Sequence, residues 1–230
     1  EGISHESCGL AGHLQLNNLI VLYDDNGITI DGETSLAYTE DVTKRFESYG
    51  WQVDEVDGHN FDAIDEALEN AQNAKSPVLI KCKTTIGYGA PNKGGKASSH
   101  GAPLGADEIE QVRKFFDWSY EAFEVPDELI QQWRSCAEKG HKAYQEWDGR
   151  LKSIDSNKKQ SFQKALTKDI KATLENEITR LKKIFEQDKP KIATRKASGQ
   201  VLEKLLPEIS VLVGGSADLT GSNNTFADNI

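Results

Sequence analysis

Asp24, Asp25, Asn26 and Gly27 cut across an apolar run, IVLYDDNGITI at 20–30, and place acid and amide oxygens beside a residue free to turn sharply. Short aliphatic and β-branched segments on either side read as a buried strand delivering those oxygens at its carboxyl end. Ligands bind at that end of open α/β sheets. Asn26 offers an amide oxygen, and irregular backbone after Gly27 can turn carbonyls inward, which suits a small hard cation such as Mg²⁺. The same residue types also make solvated turns, so turn chemistry alone leaves both readings open. A second candidate region is TTIGYGAPNKGGKASSHGAPLG at 84–105, which is glycine-rich, lacks a periodic apolar face and follows directly on VLIKCK. Loops of that length inside a compact domain are functional or disordered, and the position after a strand favours function. His100 lies within it, and an imidazole can donate to an oxyanion or shuttle a proton.

The composition narrows the classes. The chain has 230 residues and a net charge of −10, with both signs interspersed, which argues against a nucleic-acid surface because a clustered basic face is missing. No apolar run approaches the roughly 20 residues needed to cross a bilayer, and the N-terminus lacks the basic and apolar regions of a secretory signal. These features lead us to expect a soluble protein, cytoplasmic or organellar, without a membrane partner. Cys8, Cys82 and Cys136 are odd in number and far apart, so neither a disulfide framework nor a thiolate metal site is expected. Residue 1 is Glu, methionine is absent, and the chain stops at Asn229-Ile230 soon after a Gly/Ser/Asn-rich loop. The expectation is an internal piece of a longer polypeptide.

The elements that must position these residues alternate. Helices are expected over 5–17, 40–49 and 61–74, and strands over 19–24, 51–56 and 78–83. Thr39 is the expected cap of the second helix, with Glu40 and Asp41 in its first turn, Val42, Phe46 and Tyr49 on one face and Gly50 as its stop. Asn60 caps the third, which carries Ile64, Ala67, Leu68 and Ala71 at helical spacing. Strands joined by such helices must run parallel with both faces covered, giving a doubly wound, mostly parallel α/β layer. His59, after a glycine, reads as a turn residue. Residues 106–147 are helical and aromatic, with Phe115, Phe116, Trp118, Phe123, Trp133 and Trp147 among them, a composition expected of a core or subunit interface. Over 148–190, Leu166, Ile170, Leu174, Ile178, Leu181 and Phe185 form the apolar stripe of one long connector helix ending at Pro190. A helix over 192–206 and a buried strand SVLVGG at 210–215 then open a new unit, with a boundary near 190.

Together the motifs carry a family likeness. EGISHE, YDDNGITIDG, GYGAPNK followed by SHGAPLG, RKAS and GGSADLTGSN occur in the order and approximate spacing of the transketolase family, which the chain resembles over essentially its whole length. The resemblance implies that residues 1–150 are the later part of a diphosphate-binding domain, 151–190 a helical connector and 191–230 the start of a pyrimidine-binding domain. It implies thiamine diphosphate and a divalent metal, Mg²⁺ or alternatively Ca²⁺ or Mn²⁺, bound between such domains in a homodimer. The implied reaction moves a two-carbon ketol unit from a ketose phosphate to an aldose phosphate, in the pentose phosphate pathway or Calvin cycle, in the cytoplasm or a plastid. Dihydroxyacetone synthase shares these motifs and is the alternative within the same chemistry. A non-catalytic α/β interaction fragment is the alternative outside it.

Residue by residue, the resemblance makes Asn26 and the carbonyl of Ile28 metal ligands, with Glu1-Gly2 directly following the segment that supplies an aspartate, and Gly2 beside the cofactor. Asp24 and Asp25 match no ligand and shape the turn. Ile30 and Ile86 match positions that pack against the cofactor. His100 matches a histidine over the diphosphate and the donor sugar. Arg195 and Ser222 match the pair that grips the sugar's terminal phosphate, chemistry a guanidinium and a hydroxyl suit well. Asp218 matches a loop residue near the cofactor, and Glu1 and Glu6 match a carboxylate network at the dimer interface. The isolated chain is expected to be inactive.

Overall fold

The computed structural model describes residues 2–167, 170–216 and 219–227. The chain divides into two compact units, Glu1–Glu124 and Val125–Ile230. The first contains α1 (Gly2–His13), β1 (Ile20–Asp25), α2 (Val42–Ser48), β2 (Gln52–Asp57), α3 (Phe61–Ala71), β3 (Val78–Lys83) and α4 (Ala106–Phe115). Its strands form a parallel sheet in the order β1-β3-β2, with Ile20 and Gln52 both level with Val78.

The central strand is the most apolar one because both of its faces are covered. Val78, Ile80 and Cys82 point to one face and pack with Ala67, Ala71 and Ala74 from α3 and the turn after it. Leu79 points to the other and packs with Ala11 of α1 and with Trp51, which precedes β2, while Val42 and Phe46 of α2 join the same cluster. Helices therefore cover both faces, as the alternating pattern predicts. Complete burial of a side chain such as Ile80 stabilises the layer by about 1.5–3 kcal/mol.

Helix ends differ in detail from expectation. Asp41, not Thr39, caps α2, its carboxylate accepting from the Lys44 amide at 3.1 Å. The cap falls where the chain turns into the helix, and Thr39 lies two residues too early. Asn60 caps α3 as expected, accepting from Ala63 N at 3.2 Å. Gly50 stops α2 at φ +85° while donating to Glu47 O. Helix α1 ends at His13 rather than reaching 17, because Gln15 takes a left-handed conformation at φ 50°. A Cβ at Gly12 would lie 1.8 Å from the Tyr49 carbonyl oxygen, so only glycine lets α1 approach the end of α2 this closely. The Trp51 indole donates to Cys8 O at 2.9 Å and ties α1 to the link between α2 and β2.

The second unit comprises α5 (Asp127–Ser153), α6 (Ser156–Thr167), α7 (Lys171–Asp188), α8 (Thr194–Leu205) and the short α9 (Thr220–Asn223). The single long helix expected across 148–190 is broken. Ile154 is extended at φ −75°, ψ 161°, and the Asp155 carboxylate then accepts from Asn157 N and Lys158 N, starting α6. Local capping thus outcompetes helix continuation. Of the apolar stripe, only Leu181 is buried, and α7 packs on α8. Lys189 ends α7 in a left-handed turn immediately before Pro190. Residues 210–215 do not form the expected strand. Among the described residues no segment pairs with them, and Val213 remains 90% exposed.

Among the described residues no aromatic of 106–147 is buried in a core. Phe123 and Trp133 are exposed, while Tyr144, Trp147 and Phe162 cluster locally between α5 and α6. No described helix is long and apolar enough to cross a membrane.

Candidate functional site

At the carboxyl end of β1 the chain leaves the sheet through a tight, internally bonded turn. Asn26 Oδ1 accepts from Ile28 N at 3.0 Å, Gly27 adopts φ +71°, and Ile28 forms an isolated bridge with Glu33. Thr34 N donates to Gly27 O at 2.9 Å and Thr29 N to Gly32 O at 2.7 Å. These bonds leave the Ile28 carbonyl without a hydrogen-bond donor among the described residues.

The two aspartates are already engaged. Asp24 accepts from the Thr84 hydroxyl and, at 3.4 Å, from the Asn26 amide. Asp25 pairs with Lys83 at 3.2 Å and Lys81 at 3.5 Å. Their contacts tie the β1 turn to the exit of β3, as shaping residues would. Lys81 also reaches Glu55 at 2.9 Å, and that carboxylate, with Asp25 adding to it, holds the ammonium above the ordinary lysine range. Asp25, Lys81 and Glu55 line a cleft of about 570 Å³ together with Tyr23, Tyr38 and Glu40. Burial, reinforced by Asp25, raises the Tyr23 hydroxyl above its usual value.

The glycine-rich loop after β3 is folded and clamped. The buried Glu108 carboxylate, in the first turn of α4, accepts from Asn92 N at 2.7 Å, Lys93 N at 2.9 Å and Asn92 Nδ2 at 3.0 Å. The Asn92 side-chain bond, with the backbone donors adding to it, holds the Glu108 carboxyl below the usual carboxylate range against the opposing effect of burial. Gly95 N donates to Ile86 O at 2.8 Å, and the Ser99 hydroxyl to Lys93 O at 2.6 Å. Gly89, at φ +85°, passes so close to Phe115 and Phe116 that a Cβ would lie 2.7 Å from the first ring.

The structure brings together some of the residues singled out from the sequence. Asn26, Ile28 and Ile86 lie around the linked carboxyl ends of β1 and β3. Ile30 is 71% exposed. His100 is exposed at the end of a short 3-10 turn, Ala97–Ser99, and makes no side-chain hydrogen bond among the described residues. Gly2 and Glu6 are exposed on α1. Arg195, in the first turn of α8, and Ser222, in α9, belong to the second unit, where α8 and α9 pack with Gly199 against Asn224. Glu1 and Asp218 lie outside the described residues.

Two residues escape the sequence reading. Glu108 has only its place in an acidic first helical turn as a signal, and that pattern normally means a favourable helix dipole. His59 does more than turn the chain: its Nε2 accepts from Thr85 N at 2.8 Å, and its ring stacks on Tyr88 with centroids 3.7 Å apart.

Two neutral oxygens, Asn26 Oδ1 and Ile28 O, suit part of a hard-cation shell. Among the described residues no group of three or more His, Cys, Asp or Glu side chains could hold a metal by itself. A parallel sheet whose adjoining carboxyl-end loops pair an Asx turn with a clamped glycine-rich segment defines an α/β ligand-binding layer.

Residues 1–177 match the family model for the transketolase thiamine diphosphate binding domain. The chain belongs to the transketolase family. It is 43% identical over 230 residues to a transketolase of Rhodobacter capsulatus, covering 100% of this chain and 34% of that protein. It is 44% identical to transketolase 2 of Escherichia coli, covering 98% and 34% respectively. A solved transketolase of Campylobacter jejuni superposes with a TM-score of 0.84 at 34% identity, over 100% of this chain and 35% of that one. A transketolase of Pichia stipitis in complex with sedoheptulose-7-phosphate gives 0.79 at 38% identity, again over 100% of this chain and 34% of that one. The chain thus spans about a third of the length of these relatives.

Proposed function

We propose that this chain forms part of a thiamine-diphosphate-dependent transketolase, moving a two-carbon ketol unit from a ketose phosphate to an aldose phosphate. The observation that carries the reading is the Asn26–Ile28 turn, bonded through Asp24 and Thr84 to the start of the glycine-rich loop, in a region matching the family's cofactor-binding domain. The sugar complex of the Pichia stipitis relative supports the substrate class.

In this reading residues 1–150 are the later part of the diphosphate-binding domain, 151–190 the connector and 191–230 the start of the pyrimidine-binding domain. Asn26 Oδ1 and Ile28 O hold a divalent cation, Mg²⁺ by preference, and the Asn26 oxygen gives up its bond to Ile28 N or shares it. Gly2 and Asp218 lie beside the cofactor. Ile30 and Ile86 form an apolar wall that excludes water and lowers the local dielectric. His100 donates to a developing oxyanion or moves a proton on the sugar. Arg195 and Ser222 grip the sugar's phosphate, the guanidinium through paired N–H donors and the hydroxyl through one. Glu1 and Glu6 join a carboxylate network between two copies, where crowding makes them share protons. Thiamine diphosphate, when bound, supplies the carbon nucleophile and electron sink that two-carbon transfer requires. The working protein is a cytoplasmic or plastid homodimer.

The test is direct. The purified 230-residue chain is expected to have no ketol-transfer activity and to bind thiamine diphosphate with Mg²⁺ weakly or not at all. The complete polypeptide that contains it is expected to do both, and to lose metal-dependent cofactor binding when Asn26→Ala is introduced. Activity in the isolated chain overturns the reading of it as an incomplete part of the enzyme, and an unaltered Asn26→Ala protein overturns the cofactor-site assignment.

A further inference from the structure

We infer that His59 is a positioning residue for the glycine-rich loop, fixing the backbone from Thr85 to Tyr88 and with it the place of Ile86. The inference rests on the reading of that loop as part of the cofactor site.

The argument begins at the turn between β2 and α3. Asp57 Oδ1 accepts from His59 N at 2.9 Å, setting a compact Asx turn. Gly58 N donates to Lys83 O at 2.8 Å, which carries the β2–β3 pairing one step past the strands. The approach is so close that a Cβ on Gly58 would stand 2.4 Å from Thr84 Cγ2 and 3.1 Å from Lys83 O. Beyond this point the two chains diverge, and a side chain takes over where the ladder has ended. His59 Nε2 accepts from Thr85 N at 2.8 Å. A nitrogen that accepts from an amide carries no proton, so the ring's proton resides on Nδ1.

The same ring has a second contact. It lies flat on Tyr88, at 3.7 Å between centroids and 12° between planes, and Tyr88 meets Phe115 and Phe116 of α4 edge-on at 5.3 and 6.0 Å. Thr85 is therefore held by the edge of the imidazole and Tyr88 by its face. Only Ile86 and Gly87 lie between them, and Gly87 sits at φ +64°. Gly95 N closes on Ile86 O from the far side of the loop. Glutamine can supply the in-plane acceptor without the stacked ring, and phenylalanine the ring without the acceptor. Histidine does both, which a residue serving only to turn the chain need not do.

The two variants separate the functions. In His59→Phe, exchange of the Thr85 amide is expected to accelerate roughly fivefold to tenfold, from loss of one hydrogen bond, while the Tyr88 ring resonances stay near their wild-type positions. In His59→Gln the Thr85 amide stays protected and the Tyr88 resonances move. Nitrogen-15 spectra of the wild-type chain are expected to place the His59 proton on Nδ1. In the complete polypeptide, both variants raise the thiamine diphosphate concentration needed for half-maximal activity, while kcat at saturating cofactor changes little. Unchanged Thr85 exchange in His59→Phe overturns the anchoring role. Faster exchange with unaltered cofactor affinity overturns the link to the site. A wild-type complete polypeptide that takes up no thiamine diphosphate fails the functional reading instead, and the exchange data still decide whether His59 anchors the loop.

Discussion

VLIKCK at 78–83 and SVLVGG at 210–215 look alike in sequence, each an apolar run opening into a glycine-rich segment, yet they end in different states. The first is a central strand, paired on both sides and covered on both faces, with Val78 and Ile80 fully buried. The second pairs with no strand among the described residues and leaves Val213 90% exposed. Apolar residues make a strand favourable, but its backbone needs at least one neighbouring strand to pair with, as β1 and β2 each have in β3. The loops that follow differ for the same reason. Residues 84–105 hang from a fixed strand and are clamped by Glu108 and His59. A Cβ added at Gly214 or Gly215 would meet nothing within 4 Å among the described residues.

This contrast is sharpest in the core. Ile80→Ala is expected to lower stability by about 2–5 kcal/mol, the usual cost of emptying a buried isoleucine site, whereas Val213→Ala stays within about 0.5 kcal/mol. Urea unfolding of both variants checks the pair, and equal losses would break the contrast. Next comes the close approach beside β3. Gly58→Ala is expected to cost about 1–3 kcal/mol by overpacking against Thr84 and the Lys83 carbonyl, and Gly214→Ala close to nothing, measured in the same titrations. The smallest effect is a pH response of the clamp. The folded carboxyl of Glu108 lies below the ordinary value of about 4.3, so its contribution is fully present above that value and is lost as pH falls through the lower, folded one. Amide exchange at Asn92 and Lys93 is expected to speed up over that acid window, and Glu108→Gln to remove the pH dependence. An identical acid response in Glu108→Gln would assign it to another group.

Much of the first unit was legible in the sequence. Three parallel strands between helices, the Asn60 cap and the Gly50 stop follow from local rules that tertiary contacts did not override. The Asx turn at Asn26 was legible as chemistry, but the engagement of Asp24 with Thr84 and of Asp25 with two lysines needed the sheet register. Glu108 and His59 were hidden because their partners lie 15 to 26 residues away along the chain, beyond any periodicity. The break between α5 and α6 was missed because the apolar stripe that defined the connector helix begins only at Leu166, beyond the break, and only Asp155 marks the competing cap. Residues 210–215 misled because a buried strand and an unpaired apolar segment share one composition.

Cys82 shows what being central entails for a single atom. Its thiol sits between β1 and β2 against α3, burial raises its pKa, and the Asp24 carboxylate raises it further. Water-borne electrophiles attack the thiolate, and here the thiolate is both scarce and enclosed. Alkylation at this sulfur is therefore expected to be slow while α3 covers that face of the sheet, and to quicken when α3 lifts away.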